Sequence, residues 1–390
     1  MKIKYLTLSL LISLSINVFF PAVSFSKTSD ETTTSKKKQD SNVKQSNERK
    51  KVEKRPKNSR EVRTSVLPRS TTANATPPKR VSLGNAMGLG KHLDILNLKS
   101  NAAIVVDQQS QAVVFEKNAN AILPIASITK LMTAMTVLDS KLNLDETLRI
   151  NDEDAAIYKK SRLAKGTELT RREALLLALM SSENRAAYTL GRNYPGGIDA
   201  FMAAVNRKAR EIGMSHSAFE DPTGLTSKNV SSPEDLALMV NAASQYPMIR
   251  EFSTTHEYSK FISNRMQEFI SSNRLVRSGN MQIGLQKTGY ISEAGRCLVM
   301  QAFINNKPYI MVFLDSEGSQ SRFADAVRVK QWIDDQPDLK SVRKLALKGN
   351  SNPNNSNYLI PSLSNAANAS PAEEAPFNSQ TIEGVLKNNR

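Results

Sequence analysis

The sequence predicts an α+β fold in which helices flank an antiparallel sheet. Two pairs of short apolar runs, at residues 103–107 with 112–117 and at 297–304 with 309–315, are each joined by polar residues, which is typical of β-hairpins. Helical spacing of apolar residues fills the chain between the two pairs and returns after the second pair. This order favours an antiparallel sheet covered by helices, with its first and last elements side by side.

The helices are predicted in the middle and at the end of this region. Residues 128–138 place Leu and Met side chains at helical spacing and are interpreted as core, and residues 172–180 continue the helical pattern. Ser-Pro-Glu-Asp at residues 232–235 supplies a cap, a first-turn proline and acidic residues, which together predict a helix start. A closing helix is predicted over residues 322–333, and the chain has no internal repeat.

The basic charge of the chain is concentrated in one segment. The 390 residues carry 53 Lys+Arg against 37 Asp+Glu, a net charge of +16. Residues 27–80 hold 16 of these basic and 6 of these acidic residues, and Lys2 and Lys4 add two more basic residues. The rest of the chain therefore has 35 basic against 31 acidic residues, so the sequence predicts no nucleic-acid partner.

The N-terminal residues 1–26 are predicted to be a secretory signal peptide. They combine a positive start, an apolar stretch over residues 5–20 and a small-residue cleavage site. We therefore expect a periplasmic protein with no stable membrane anchor after signal removal. The alternative is an uncleaved membrane anchor, which the short apolar run disfavours.

Two low-complexity segments are expected to flank a single folded domain at residues 91–348. Residues 27–90 are rich in Lys, Ser, Thr, Asn and Pro, and are expected to form a basic disordered linker. The alternative for this linker is a binder of anionic polymer at the cell wall. Residues 349–390 are expected to be a C-terminal tail whose last nine residues are too short for a surface anchor.

Three short motifs inside the periodic region carry the chemistry. They are Ser-Ile-Thr-Lys at residues 127–130, Ser-Glu-Asn at 182–184 and Lys-Thr-Gly at 287–289. The first opens a predicted helix, the second separates two helical patterns, and the third is expected at an edge of the sheet. Ser-x-x-Lys alone carries little weight because it recurs elsewhere in the chain, so the order of the three motifs is the signal.

The sequence contains no motif of a metal-dependent hydrolase, a Ser-His-Asp hydrolase or a nucleotide-binding protein. A single Cys excludes an intramolecular disulfide framework, and three His residues argue against a structural zinc site. There is no His-Glu-x-x-His motif, no recognisable Ser-His-Asp arrangement and no glycine-rich phosphate loop. We therefore predict no metal site and no cofactor.

The motif set resembles that of penicillin-binding proteins and serine β-lactamases. Residues 124–135, 221–225, 273–276 and 287–290 are similar to the D-alanyl-D-alanine endopeptidase branch of the low-molecular-weight penicillin-binding proteins, serine D,D-peptidases of family S11. The resemblance covers residues 94–334. It implies a β-lactamase/transpeptidase-like fold with a helical subdomain, peptidoglycan stem peptides as substrate and β-lactams as covalent inhibitors.

The resemblance also implies the catalytic roles. Ser127 would be the nucleophile, and Lys130 its base, with a pKa lowered by partial burial and by the second cation Lys287. Ser182 would relay the proton toward the leaving amine.

Five residues would bind the substrate. Asn184 would hold its amide, Lys287 and Thr288 its carboxylate end, and Gly289 would let its backbone lie against the strand. The backbone N–H of Tyr290 and that of the nucleophile would form the oxyanion hole.

Three neighbouring residues are expected to have no catalytic role. Glu183 is expected to face solvent, Cys297 to be a small buried hydrophobe, and Arg296 to be a surface charge, with substrate contact as its alternative.

Two other kinds of protein, besides a D,D-peptidase, are compatible with the same three motifs. A serine β-lactamase would need a deacylating glutamate in a Glu-x-x-Leu-Asn loop, and no glutamate in residues 185–286 begins that pattern. Glu220 lies nearest, but Asp-Pro-Thr-Gly at 221–224 follows it and predicts a turn. A non-catalytic peptidoglycan-binding protein would be expected to lose Ser127 or Lys130, and both are present. The sequence leaves the choice between endopeptidase and carboxypeptidase open.

Overall fold

The computed structural model describes residues 81–91, 94–158, 160–336 and 339–347. The expected signal peptide, nearly all of the expected linker and the expected C-terminal tail lie outside the described residues. Within the described part, no helix is both long and apolar enough to cross a membrane.

The described residues form ten α-helices. They are α1 (Leu83–Ala86), α2 (Lys130–Asp139), α3 (Asp152–Ile157), α4 (Arg171–Met180), α5 (Asn184–Arg192), α6 (Gly197–Glu211), α7 (Pro233–Ala243), α8 (Pro247–Thr254), α9 (Arg274–Ser278) and α10 (Ser321–Asp334). The predicted helices correspond to α2, α4, α7 and α10. The predicted cap of α7 is confirmed, because the Ser232 hydroxyl accepts from the Asp235 N–H at 3.1 Å.

The same residues form twelve strands. They are β1 (Ser100–Asp107), β2 (Ala112–Lys117), β3 (Leu123–Pro124), β4 (Thr147–Arg149), β5 (Glu168–Thr170), β6 (Val230–Ser231), β7 (Glu257–Ile262), β8 (Arg265–Ile270), β9 (Gln282–Ile291), β10 (Gly295–Ile304), β11 (Lys307–Ser316) and β12 (Arg343–Lys344). Six of them form one sheet in the order β12-β2-β1-β11-β10-β9, and the other six pair in twos.

The large sheet confirms the predicted topology. β1 pairs with β2 and β10 with β11, both antiparallel, so the two predicted hairpins are present. β1 also pairs with β11, with Val105 opposite Met311, which brings the first and last strand pairs side by side. β9 lies at the sheet edge, so Lys-Thr-Gly at residues 287–289 lies where it was expected.

Both faces of the sheet are buried under helices. Along β1, Ile104 and Val106 contribute to one apolar core, whereas Ala103 and Val105 contribute to the other. This alternation follows from the two-residue period of a strand. α7 packs on one face and α10 on the other, which gives the α+β fold that the sequence predicts.

α2 lies at the centre of a second, helical region. It packs against α4, α5, α6 and α7, and its residues 130–137 are all buried. A helix that is buried on every side belongs to the interior of a domain, so the Met-rich stretch is core as predicted. The N-terminal end of this helix therefore lies in the interior of the domain.

The packed part of the chain begins before the expected domain boundary at residue 91. Leu83 is 3% exposed and belongs to the main core, and the Ser82 hydroxyl donates to the Asp315 carboxylate at 2.8 Å. The low-complexity composition hides this contact because a single apolar residue gives no periodic pattern. The expected linker boundary at residue 90 is thus corrected at its C-terminal end.

Candidate active site

Ser127 and Lys130 lie together at the N-terminal end of α2. Ser127 belongs to a 3-10 turn, Ala126–Thr129, and Lys130 is the first residue of the helix. Residues three apart in a 3-10 turn eclipse one another, so the two side chains meet. The Lys130 Nζ atom is 2.8 Å from the Ser127 Oγ atom.

The Lys130 amine is enclosed by protein. It is 0% exposed, and its Nζ atom donates to Asn184 Oδ1 at 2.7 Å and to the Thr223 carbonyl at 2.6 Å. Burial lowers the pKa of Lys130 to about 7, and the charges of Asp221 and Glu183 oppose this lowering. Burial is complete where the sequence predicted partial burial, and it is the main cause of the lowered pKa.

Ser182 and Lys287 form a second serine–lysine contact. Ser182 lies between α4 and α5 and has a left-handed φ of 63°. The Lys287 Nζ atom donates to the Ser182 Oγ atom at 2.8 Å and to the Thr288 carbonyl at 2.9 Å. Lys287 is also 0% exposed. Burial lowers the pKa of Lys287 well below its ordinary value, and the charges of Lys130 and Arg322 lower it further.

Gly289 allows the edge strand β9 to touch the Ser127 turn. A Cβ atom at residue 289 would lie 2.8 Å from the Ile125 carbonyl oxygen and 3.2 Å from the Ser127 backbone nitrogen. Any larger residue would push the strand away from the nucleophile turn. Gly289 is predicted to let substrate backbone lie against the strand, and in the structure it also lets the strand contact the Ser127 turn.

The two remaining predicted binding residues lie on the same strand. The Thr288 hydroxyl donates to the Ser272 Oγ atom at 2.7 Å. Tyr290 is 56% exposed, and the Arg296 guanidinium lies 4.5 Å from its ring centroid. Arg296 therefore packs on a residue at the site.

A cleft of about 360 Å³ opens over these residues. The residues that line it are Ser127, Tyr158, Lys160, Ser161, Arg162, Ser181, Ser182, Glu183, Asn184, Thr288, Gly289, Tyr290 and Arg322. It brings together six of the eight predicted site residues, and Lys130 and Lys287 lie buried beside it. Tyr158 and residues 160–162, between α3 and β5, form a wall that was not predicted, because polar residues of a connecting segment carry no motif.

Glu183 does not face solvent, so that expectation was wrong. It is 8% exposed, accepts a hydrogen bond from the Ser161 hydroxyl at 2.7 Å, and lies 3.8 Å from the Arg162 Nε atom. Its side chain therefore contacts two residues of the cleft wall. These contacts attach Ser161 and Arg162 to the Ser-Glu-Asn motif.

Two further groups at the site were not predicted from the sequence. Arg322, on α10, is 7% exposed and donates to the Gly289 carbonyl at 3.0 Å, and burial lowers its pKa to about 10. The Thr223 carbonyl is the other group, and the only signal for it was the Asp-Pro-Thr-Gly turn. The helix of Arg322 was predicted, but the residue that would face the cleft was not.

Cys297 is not among the residues that line the cleft. Cys297 is 0% exposed, and burial raises the pKa of its thiol to about 12, so its interpretation as a small buried hydrophobe is confirmed. Among the described residues, no group of three or more His, Cys, Asp or Glu side chains could hold a metal ion.

The fold and the serine–lysine pair under the sheet edge define a serine peptidase of the penicillin-binding type. Residues 90–318 match the family described as D-alanyl-D-alanine carboxypeptidase, Peptidase S11. The chain belongs to this family.

Curated relatives and solved structures agree with this assignment. The chain is 42% identical over 269 residues to a D-alanyl-D-alanine endopeptidase of Pseudomonas aeruginosa. The matched residues cover 68% of this chain and 84% of the relative. It is 44% identical over 243 residues to a D-alanyl-D-alanine endopeptidase of Escherichia coli, across 61% of this chain and 78% of the relative. The structure of the Streptomyces K15 DD-transpeptidase matches with a TM-score of 0.56 and 25% identity, covering 60% of this chain and 97% of that one.

Proposed function

We propose that this chain is a serine D,D-peptidase that cleaves D-alanyl peptide bonds in peptidoglycan through an acyl-enzyme on Ser127. The observation that carries the proposal is the 2.8 Å contact between the Ser127 hydroxyl and the fully buried Lys130 amine. A serine hydroxyl needs an adjacent base to become a nucleophile. A lysine with a pKa of about 7 is half neutral near physiological pH and can be that base.

The contacts of Lys130 suit a neutral amine whose lone pair faces the nucleophile. A neutral amine has two N–H groups and one lone pair. The Asn184 Oδ1 atom and the Thr223 carbonyl can only accept, so they take the two N–H groups. The third contact is the Ser127 hydroxyl, which can donate its proton to the lone pair.

The acylation step then uses groups that lie in the cleft. The Ser127 Oγ atom attacks the D-alanyl carbonyl while its proton passes to Lys130. The C–N bond breaks as the leaving amine takes the hydroxyl proton of Ser182, which Lys287 contacts at 2.8 Å. Ser182 recovers a proton from Lys130, so the Lys130 amine is neutral again. Water then hydrolyses the ester and restores the Ser127 hydroxyl.

The charge of the cleft supports an anionic peptide as substrate. Arg322 and Thr288 line it and Lys287 lies buried beside it, and we assign to these three residues the carboxylate of the residue that leaves. The backbone N–H groups of Ser127 and Tyr290 are assigned to the oxyanion hole. Such a donor is typically worth about 2.7 to 4 kcal/mol of transition-state stabilisation.

We infer a periplasmic location and a single catalytic domain for the same protein. The predicted signal peptide at residues 1–26 supports export, and the family match at residues 90–318 supports a domain within the expected residues 91–348. Residues 27–80, which end before the packed Ser82 and Leu83, are proposed to be a linker, and residues 349–390 a tail. β-Lactams are proposed to be covalent inhibitors.

Cleavage of crosslinks is the activity to test first, because the two relatives at 42% and 44% identity are named endopeptidases. Purified protein is incubated with crosslinked muropeptide dimers and, separately, with monomeric pentapeptide, and the products are separated by chromatography. We expect dimers to be converted to monomers. Release of terminal D-alanine from the pentapeptide with intact dimers would assign a carboxypeptidase instead, and no cleavage of either would contradict the proposal.

Penicillin is expected to form an adduct that lasts many minutes. Glu220, the glutamate nearest to a β-lactamase position, is 52% exposed and lies 3.4 Å from Lys228, and Glu183 is engaged by Ser161. Glu220 does not line the cleft, and the Glu183 carboxylate there accepts from the Ser161 hydroxyl, so neither is placed as the deacylating base of a β-lactamase. Intact-protein mass followed over time after mixing with excess penicillin checks this. Rapid turnover without an accumulated adduct would place the β-lactamase alternative first.

A further inference from the structure

The Asp221 carboxylate organises the turn that faces Lys130. Its Oδ1 atom accepts from the Thr223 N–H at 2.5 Å, the Thr223 hydroxyl at 2.6 Å and the Gly224 N–H at 2.8 Å. Its Oδ2 atom accepts from the Thr226 N–H at 3.0 Å. Four donors on one carboxylate define the path of the chain from residue 221 to residue 226.

This turn contacts both the 3-10 turn at Ala126–Thr129, which carries Ser127, and helix α2. Gly224 has a φ of 81°, and a Cβ atom there would lie 1.9 Å from the Ala126 carbonyl oxygen. On the other side, the Thr133 hydroxyl donates to the Pro222 carbonyl at 2.7 Å. Between these two contacts, the Thr223 carbonyl is the group that accepts from the Lys130 amine.

A buried asparagine fixes the start of the same turn. The Asn229 Oδ1 atom accepts from the Glu220 N–H at 2.8 Å and from the Asp221 N–H at 3.2 Å. Its Nδ2 atom donates to the Asp221 carbonyl at 2.8 Å and to the Thr129 hydroxyl at 3.0 Å. The Asp221 side chain is therefore anchored at its own backbone, so its charge has a fixed place relative to α2.

We propose that Asp221 is a positioning residue for Lys130, which fixes the Thr223 carbonyl against the amine and holds a negative charge close to it. This inference rests on the proposed function of Lys130 as the base. If one of the two N–H groups of Lys130 lost its acceptor, the lone pair would no longer be held toward Ser127. Asp221 acts through the turn and through its field, and it touches neither substrate nor the reacting atoms.

The charges that face Lys130 determine the sign of the effect. Asp221 comes from the turn, Glu183 from the segment between α4 and α5, and Lys287 from β9. The two carboxylates favour the protonated amine, and the lysine disfavours it. Removal of the Asp221 charge therefore lowers the pKa of Lys130, and the amine is neutral over a wider range on the acid side.

Acylation rates measured across pH separate the two effects of Asp221. The second-order rate constant for acylation by a fluorescent penicillin is measured from about pH 5 to 9 for the wild type and for Asp221→Asn. The wild-type rate should rise through a pKa of about 7. In Asp221→Asn we expect this rise to move by about 0.5 pH unit or more to lower pH. The plateau should fall about tenfold, because a less basic, less well-held amine is a weaker base.

Glu220→Gln is the matched control, because it removes the same charge one residue earlier from a side chain that is 52% exposed. It should leave both the plateau and the position of the rise unchanged. An Asp221→Asn profile that coincides with the wild type overturns the inference. Wild-type protein that is not acylated at all overturns the proposed function, and this inference with it.

Asp221→Glu keeps the inference testable if Asp221→Asn melts below the assay temperature. This variant retains the charge but moves the carboxylate by one methylene, so the turn should loosen while the field remains. We expect the plateau to fall about tenfold with the rise left near its wild-type pH. A wild-type plateau in Asp221→Glu would show that the turn needs no fixed carboxylate and would overturn the positioning role.

Discussion

Ser127→Ala is expected to abolish penicillin labelling and D,D-peptide cleavage, a loss of about 10⁴-fold or more. Ser127 is the hydroxyl that lies 2.8 Å from the buried Lys130 amine, and its side chain lines the cleft. Ser182 also contacts a buried lysine, Lys287, at 2.8 Å, and we assign Ser182 to proton relay. Fluorescent penicillin labelling and muropeptide chromatography measure the two activities.

Ser181→Ala is the matched control for this substitution. Ser181 also lines the cleft, but its hydroxyl donates to the Leu177 carbonyl of the preceding helical turn at 3.0 Å. This variant should keep both activities within a few fold of the wild type. Peptide cleavage that persists in Ser127→Ala would require a different nucleophile.

Lys130→Arg is expected to be as damaging as Lys130→Ala, with acylation slowed by about 10²- to 10⁴-fold. Arginine keeps the positive charge but is not deprotonated at usable pH, so it cannot accept the proton of Ser127. It is also larger than a side chain that is already 0% exposed. The second-order acylation rate constant checks the prediction, and thermal melting separates lost chemistry from lost folding.

Lys228→Arg controls for the same change of residue type at a surface position. Lys228 is 54% exposed and pairs with Glu220, so its replacement should leave acylation unchanged. A folded Lys130→Arg protein that is acylated at a near-normal rate would mean that the base is another group.

The large sheet and the main helices could be predicted because their patterns are local. The hairpins β1–β2 and β10–β11 each consist of two apolar runs that flank a polar turn. The start of α7 is marked by the N-cap residue Ser232 and the first-turn proline Pro233. The hairpin β7–β8 was not predicted, because one of its faces is exposed and its apolar residues Phe261 and Met266 lie in solvent. Exposed apolar residues do not produce the alternation that marks a half-buried strand.

The site could be predicted to the extent that its chemistry depends on residue types in motifs. The sequence identified Ser127, Lys130 and Lys287, but it could not show that both amines are completely buried. Burial depends on what packs around a side chain, and here that includes the turn at residues 221–226 and helix α10. For the same reason the sequence predicted partial burial together with a second cation as the causes of the lowered pKa of Lys130, whereas burial is complete and is the largest cause.

The site also contains a main-chain group and a side chain distant in sequence, which the motifs could not predict. The Thr223 carbonyl at 2.6 Å from Lys130 carries no residue-type signal, because every residue has a carbonyl. Arg322 lies on a helix that was predicted, yet its contact with the Gly289 carbonyl depends on how that helix docks on the sheet. Both groups are fixed by tertiary packing.

The measurement that tests the central claim most directly is the position of the penicillin adduct in the wild-type protein. The protein is mixed with penicillin, quenched in acid and digested, and the peptides are sequenced by tandem mass spectrometry. We predict a single modified residue, Ser127, with a mass increase equal to one intact penicillin, because ring opening leaves no group behind. An adduct at Ser182 or another residue, or an unmodified protein, would contradict the account.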